Sequence, residues 1–193
     1  MSTTEQGKVT IPLHRPSLKE RLFFFSSGVI VSIPLAAFFE GLASFPALSI
    51  PQPYSNILFF AILAPIIEEF GKGYPLFYRH GETKKSVMIL GYLVGLGFGI
   101  IEFLEYVLVY GVPVILIRLP GLFFHPGSTS IVAYGVANKK SSLFYLVAVA
   151  LHFSYNIGAQ YDPSLIMILI IFWVTIFLSR YLYRKTPDAL IPY

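Results

Sequence analysis

The reading of this chain turns on one stretch, Ile62-Leu-Ala-Pro65-Ile-Ile-Glu68-Glu69-Phe-Gly-Lys72. Its two adjacent glutamates come directly after 27 residues, Gly41 to Ile67, that carry no formal charge. An ionised carboxylate at the centre of a bilayer costs about 2.5 kcal/mol or more. Two such residues in a row therefore indicate a polar site enclosed within a bundle of membrane helices.

The remainder of the chain has the composition of an integral membrane protein. Of its 193 residues, 55% are hydrophobic and 12% are charged, whereas soluble domains carry about 25% charged residues. At about 20 residues for each spanning helix, the length allows about six spans and no separate soluble domain. We therefore predict an all-α fold, a polytopic membrane helical bundle with about six transmembrane helices, located in the cell membrane.

Charged or proline-rich linkers separate the predicted spans, which are residues 22–39, 54–78, 86–110, 121–137, 142–160 and 164–179. Residues 114–120 are expected to form a short interfacial piece ahead of the fourth span. The predicted organisation is a polar cytoplasmic tail at 1–20, a single integral-membrane helical domain at 21–185 and a cytoplasmic C-terminal tail at 186–193.

Basic residues alternate along the linkers. Lys and Arg occur in the N-terminal tail, at 79–85, at 139–140 and towards the C-terminus, and they are absent from 41–53, 111–113 and 161–163. The positive-inside rule then predicts cytoplasmic N and C termini. This alternation also accounts for the net charge of +4, so no nucleic-acid partner is expected. Arg118 is the one discordant charge and is expected to snorkel to the outer interface.

Four of the predicted spans carry ionisable or amide side chains in apolar surroundings. Lys72 follows Glu68 by four residues and Glu69 by three, so it can pair with either on a helix. On the third span, glycines at four-residue spacing favour close helix packing on the face that also carries Glu102. The candidate catalytic residues are Glu68, Glu69, Glu102, His125, His152 and Asn156, with Glu105 one turn beyond Glu102.

Cysteine is absent from the chain. This excludes disulfides, a thiol nucleophile and a thiolate metal site. A metal would have to be held by histidine together with carboxylate or amide groups.

The polar motifs resemble those of the PrsW-type intramembrane proteases, which are related to the CAAX-protease and bacteriocin-processing (CPBP) membrane family. The resemblance covers residues from about 60 to 160. It is carried by Pro65-Ile-Ile-Glu68-Glu69-x-x-Lys72, by Gly97-Phe98-x-x-x-Glu102, by His125 leading to Ala133-Tyr-Gly135, and by His152-x-x-x-Asn156. In the broader family the second motif ends in histidine where this chain has Glu102, which favours the PrsW branch.

The resemblance implies an intramembrane protease that hydrolyses a peptide bond in a membrane protein or a membrane-associated peptide. Glu68 or Glu69 would take a proton from water, since a carboxylate in apolar surroundings holds a proton more readily than one in water. His125 and Glu102 would position that water or bind a metal. His152 and Asn156 would complete a metal site or donate hydrogen bonds to the oxyanion.

The sequence leaves two questions open. A zinc site built from His125, His152 and Glu102 and a metal-free, glutamate-dependent mechanism use the same residues. Buried Glu and His residues also occur in transporters and ion channels, and a catalytically inactive, membrane-binding relative would retain the same motifs. Because Glu102 and His125 fall in the outer halves of their spans, water is expected to enter from the outer side.

Overall fold

The computed structural model describes residues 14–47, 49–78 and 83–191. This part of the chain is helical, without a β-strand, which confirms the predicted all-α class. Six long helices follow one another: α1 (Leu18–Pro46), α2 (Tyr54–Tyr78), α3 (Lys84–Tyr110), α4 (Ile115–Ala137), α5 (Ser141–Tyr161) and α6 (Ile166–Lys185).

Five of these helices, all except α4, are long and apolar enough to cross a membrane. The exception carries Arg118, His125 and the Ser128-Thr-Ser130 run, and most of its residues from Gly121 onwards are buried. It packs against α3, α5 and α6. A helix surrounded by other helices does not need an apolar surface for lipid, so α4 is the polar centre of a multi-pass bundle.

The first, fourth and sixth helices extend beyond their predicted limits, and α6 continues past residue 179 to Lys185. A capping box formed by Ser17 and Glu20 starts α1 at Leu18, and the helix continues beyond the predicted end at Phe39. Glu40 therefore lies within a helix rather than in a flanking loop. The expected break before Gly121 is absent, because α4 is continuous from Ile115 through Pro120 and Pro126.

The two glycine-bearing faces of α3 allow its neighbours to approach closely. A Cβ added at Gly95 would lie 2.4 Å from the backbone oxygen of His125 in α4. One added at Gly97 would lie 2.2 Å from the backbone oxygen of Phe25 in α1. Only glycine fits at such separations. The predicted glycine face thus brings Glu102 beside α4.

Contacts between neighbouring helices show that successive helices alternate in direction, so the linker residues 49–53, 111–114 and 162–165 lie at one end of the bundle. Each contains a proline, and we call this the proline-linker end. At the opposite end, the chain after α6 returns to the start of α3, where the backbone of Lys84 donates to Ala189. The predicted division into tails and a membrane domain stays a prediction. Residues 1–13, 79–82 and 192–193 of those predicted segments lie outside the described residues.

Candidate active site

Four helices bring the predicted site residues together. They are Glu68 and Glu69 from α2, Glu102 from α3, His125 from α4, and His152 and Asn156 from α5, and they are joined by Lys72 of α2 and Ser128 of α4. All except Asn156 belong to one connected network of hydrogen bonds and close ionic contacts.

Glu69 is the structural centre of this network. Its Oε1 atom accepts hydrogen bonds from Lys72 Nζ at 2.8 Å, Ser128 Oγ at 3.0 Å and His152 Nδ1 at 2.9 Å. Glu69 and Lys72 are both 0% exposed. A buried carboxylate persists in the ionised form only when opposite charge and hydrogen bonds compensate it. The predicted pairing of Lys72 is therefore confirmed, with Glu69 as the closer partner; Glu68 Oε2 lies 3.9 Å from Nζ.

The bond to Glu69 fixes the tautomer of His152. A carboxylate only accepts hydrogen bonds, so Nδ1 of His152 carries the proton and Nε2 presents a lone pair. That Nε2 lies 3.8 Å from Oε2 of Glu68. A histidine whose second nitrogen is held by a carboxylate is the usual arrangement for a metal ligand.

His125 bridges two charged residues. Lys72 Nζ donates to its Nδ1 at 2.8 Å, and its Nε2 donates to Oε2 of Glu102 at 2.6 Å. A neutral imidazole has one donor and one acceptor nitrogen. Both nitrogens of His125 therefore already have a hydrogen-bond partner. Glu102 is thus a carboxylate partner of His125, and His125 can bind a metal only by exchanging one of these two contacts.

Glu68 differs from its neighbour in being partly accessible: Oε2 of Glu69 also has no hydrogen-bond partner among the described residues, but Glu69 is fully buried. Glu68 is 8% exposed, and its Oε2 atom is buried without a hydrogen-bond partner among the described residues. This oxygen is close enough for electrostatic contact with His152 and Lys72 but too distant to bond to either. An unsatisfied buried carboxylate oxygen is costly, so a water, a metal or a substrate group is the expected partner.

Asn156 lines the same cavity as Glu68 and donates a hydrogen bond to the backbone of α2. Its Nδ2 donates to the carbonyl of Phe60 at 2.8 Å, within the π-helical segment Ile57–Leu63 that precedes Pro65. Tyr145 Oη similarly donates to the carbonyl of Ile66 at 2.8 Å. Irregular helix leaves carbonyls that need such donors. The sequence motif identified Asn156, whereas nothing in the sequence singled out Tyr145.

The residues fit a metal ion. The ligand atoms of Glu68, His125 and His152 all lie within 4.8 Å of one another. Zinc binds carboxylate oxygen and imidazole nitrogen at about 2.0–2.2 Å, so one ion could contact all three after small side-chain movements. The unpartnered Oε2 of Glu68 and the lone pair on His152 are the donors such an ion requires. Glu68 thus takes the place in this group that the sequence prediction gave to Glu102.

A cavity of about 480 Å³ leads from Glu68 towards the proline-linker end. Five polar residues on its wall were not among the candidates from sequence: Glu40, Tyr106, Tyr110, Arg118 and Gln160. Arg118 Cζ lies 3.3 Å from the centre of the Tyr106 ring, so this residue borders the cavity instead of simply projecting to the interface. Glu40 had a signal in the sequence, a lone charge between Phe39 and Gly41. Ser128, which donates a hydrogen bond to Glu69, was not among the candidates from sequence either.

Comparison with known proteins gives one match. The family model described as PrsW family intramembrane metalloprotease matches residues 17–180, a range that includes all four helices of the site. No curated protein and no solved structure matches the chain. Because the matched range covers most of the sequence, the chain belongs to the PrsW family of intramembrane metalloproteases.

Proposed function

We propose that this chain is an intramembrane endopeptidase that hydrolyses a peptide bond in a membrane-associated protein, with Glu68 as the residue that acts on water. The observation that carries this proposal is the unpartnered Oε2 of Glu68. It lies 3.8 Å from the free nitrogen of His152 and on the wall of a cavity large enough for a peptide segment. The family membership supports the reaction class.

The two adjacent glutamates have different roles in this proposal. Glu68 holds a water molecule through its carboxylate and accepts a proton from it as the water attacks the peptide carbonyl, and it then passes that proton to the amine nitrogen as the C–N bond breaks. Glu69 remains ionised and orients His152 and Lys72, since its Oε1 already accepts three hydrogen bonds. Lys72 compensates the carboxylate charge and fixes His125 through Nδ1.

We propose further that Glu68, His125 and His152 hold a divalent metal, with zinc best suited to these ligands. Oε2 of Glu68 would bind the ion, and the other oxygen of the same carboxylate would accept the proton from water. When bound, the metal would supply Lewis-acid polarisation of the scissile carbonyl. In this arrangement Glu102 orients His125, as Glu69 orients His152. Asn156 supports the wall of the site through Phe60 and reaches an oxyanion only when it leaves that carbonyl.

Three finer expectations remain part of the proposal. The relationship to the CPBP family rests on the paired glutamates and the His152-x-x-x-Asn156 motif. The location in the cell membrane with cytoplasmic termini rests on the Lys/Arg alternation. Entry of water from the outer side rests on that topology together with the cavity at the proline-linker end.

The test compares cells that express the wild-type chain, Glu68→Gln, or Asp162→Asn as a charge-matched control in an exposed linker. New N termini in membrane proteins are sequenced. We expect termini that are present with wild type and Asp162→Asn and absent with Glu68→Gln, while the variant inserts at normal levels. Identical sets of termini in all three samples would contradict the proposal.

The metal is tested on purified protein. We expect near one zinc per chain in wild type and its loss in His152→Ala and Glu68→Gln. Peptide cleavage by wild-type protein that contains no metal would instead leave Glu68 as a metal-free base.

A further inference from the structure

The cavity beside the proposed active site carries an excess of negative charge. Four carboxylates line it, from Glu40, Glu68, Glu102 and Glu105, whereas Arg118 is the only cation on its wall among the described residues. Lys72 lies behind this wall and is already bonded to Glu69 and His125. A positive group that enters the cavity would therefore gain electrostatic energy.

Glu40 is the carboxylate best placed to receive such a group. With Ile33, Ala36 and Ala37 it forms the face of α1 that lines the cavity, at the spacing of one helix face. The two alanines leave space in front of the carboxylate. Oε1 of Glu40 is buried and has no hydrogen-bond partner in the described part of the chain.

A second, independent feature points to a ligand in the same cavity. Glu68 is 8% exposed, lines the cavity and also has an unpartnered oxygen. One space thus connects the proposed reaction centre with an unsatisfied carboxylate on a different helix. A peptide bond held at Glu68 would place neighbouring parts of the same peptide along the wall that contains Glu40.

We propose that the cavity binds an extended peptide segment whose Lys or Arg side chain, close to the scissile bond, pairs with Glu40. This inference rests on the proposed function and adds a substrate class to it: membrane-associated peptides with a basic residue near the cleavage site. Arg118, stacked on Tyr106, borders the same cavity and disfavours a second cation beside it. Glu40 is a specificity-determining residue and takes no part in proton transfer.

The experiment measures peptide binding to His152→Ala protein, which retains every cavity carboxylate, in nanodiscs of uncharged lipid. The probes are two capped, fluorescent Ala/Leu-rich peptides that differ only in one central residue, Lys or Gln. We expect the Lys peptide to bind about tenfold more tightly, which is about 1.4 kcal/mol. Adding Glu40→Gln should abolish the difference in affinity between the Lys and Gln peptides. The affinity for the Gln peptide should stay unchanged, and that result would show that the cavity is intact. Adding Asp162→Asn instead should leave the preference as it was.

Equal affinity for the two peptides, or a preference that persists in Glu40→Gln, would overturn the inference. A loss of bound zinc when Glu40→Gln is introduced into the wild-type chain would also overturn it, since Glu40 would then be a metal ligand. Cleavage of the same peptides by wild-type protein separates the two proposals. A Lys preference in binding without cleavage by wild type would count against the protease function and leave the Glu40 subsite standing. Cleavage without a Lys preference would support the protease function and count against the Glu40 subsite.

Discussion

Replacing Lys72 with methionine tests whether the buried charge network is organised around Glu69. Lys72 Nζ donates at 2.8 Å to Glu69 and at 2.8 Å to His125, and methionine fills similar space without a charge. At an effective dielectric constant of about 20, two unit charges at this distance attract by about 6 kcal/mol. Desolvation of the ammonium group offsets part of that gain, and removing one partner of a buried pair costs about 3–5 kcal/mol.

We expect Lys72→Met to lower the free energy of unfolding by about 3 kcal/mol, the lower end of that range. The reason is that Glu69 keeps two donors, Ser128 Oγ and His152 Nδ1. The assay is SDS titration of the protein in mixed micelles, followed by tryptophan fluorescence of Trp173. Lys140→Met is the control, since Lys140 is exposed and should change stability by no more than about 0.5 kcal/mol.

The double variant Glu69→Gln/Lys72→Met provides the decisive comparison. With both charges removed, no carboxylate at position 69 is left uncompensated, so this variant should be more stable than Lys72→Met alone. If Lys72→Met behaves like Lys140→Met, or if the double variant shows the sum of two independent losses, the Glu69–Lys72 pair does not organise the site.

Three further predictions concern other parts of the molecule. Gly95→Ala should impair folding because its Cβ would meet the His125 carbonyl at 2.4 Å, whereas Gly41→Ala, with nothing within 4 Å, should be neutral or slightly stabilising. Measurement of thermal stability in detergent distinguishes the two variants. Equal stability of the two would contradict the close α3–α4 contact. In this cysteine-free chain, Ser49→Cys should react with an impermeant thiol reagent added outside intact cells, and labelling only after lysis would reverse the proposed topology. Hydrogen bonds from Ser164 and from the backbone of Met167 hold the pKa of Asp162 below its usual value. Asp162 therefore stabilises the start of α6 above about pH 4, and this stabilisation is lost as the pH falls through the lowered pKa. Amide exchange at Met167 that stays equally protected at all pH values, in wild type and in Asp162→Ala, would refute this.

Much of the fold could be predicted because the bilayer constrains it strongly. Long apolar runs must be helical in lipid, so the six helices could be recognised from residues 22–179 within a few positions at most ends. The larger errors in the predicted helix limits occurred where contacts with other helices outweighed a local sequence rule. The sequence predicts a break between residues 114–120 and the fourth span, although the helix continues through Pro120, and it predicts the end of the first span at residue 39, although α1 continues through Glu40.

The candidate site residues could be named from their types and motifs, but the contacts that each of them makes could not be predicted. Glu68 and Glu69 are adjacent, and about 100° of rotation separates their side chains on a helix. Which of them meets Lys72, Ser128 and His152 depends on how α2 is rotated against α4 and α5. Sequence spacing allows Lys72 to reach either glutamate, and only the packing decides for Glu69.

The sequence by itself therefore determined the class of the molecule: a helical membrane protein with carboxylates and histidines enclosed at depth. Burying such groups without compensation is too costly, so their presence within apolar runs can be interpreted from the sequence alone. The tertiary structure decided that Glu68 and not Glu69 lines the cavity, that Glu102 is the carboxylate partner of His125, and that Glu40 and Arg118 border the same cavity. These features depend on distances between helices far apart in the chain, which no local pattern encodes.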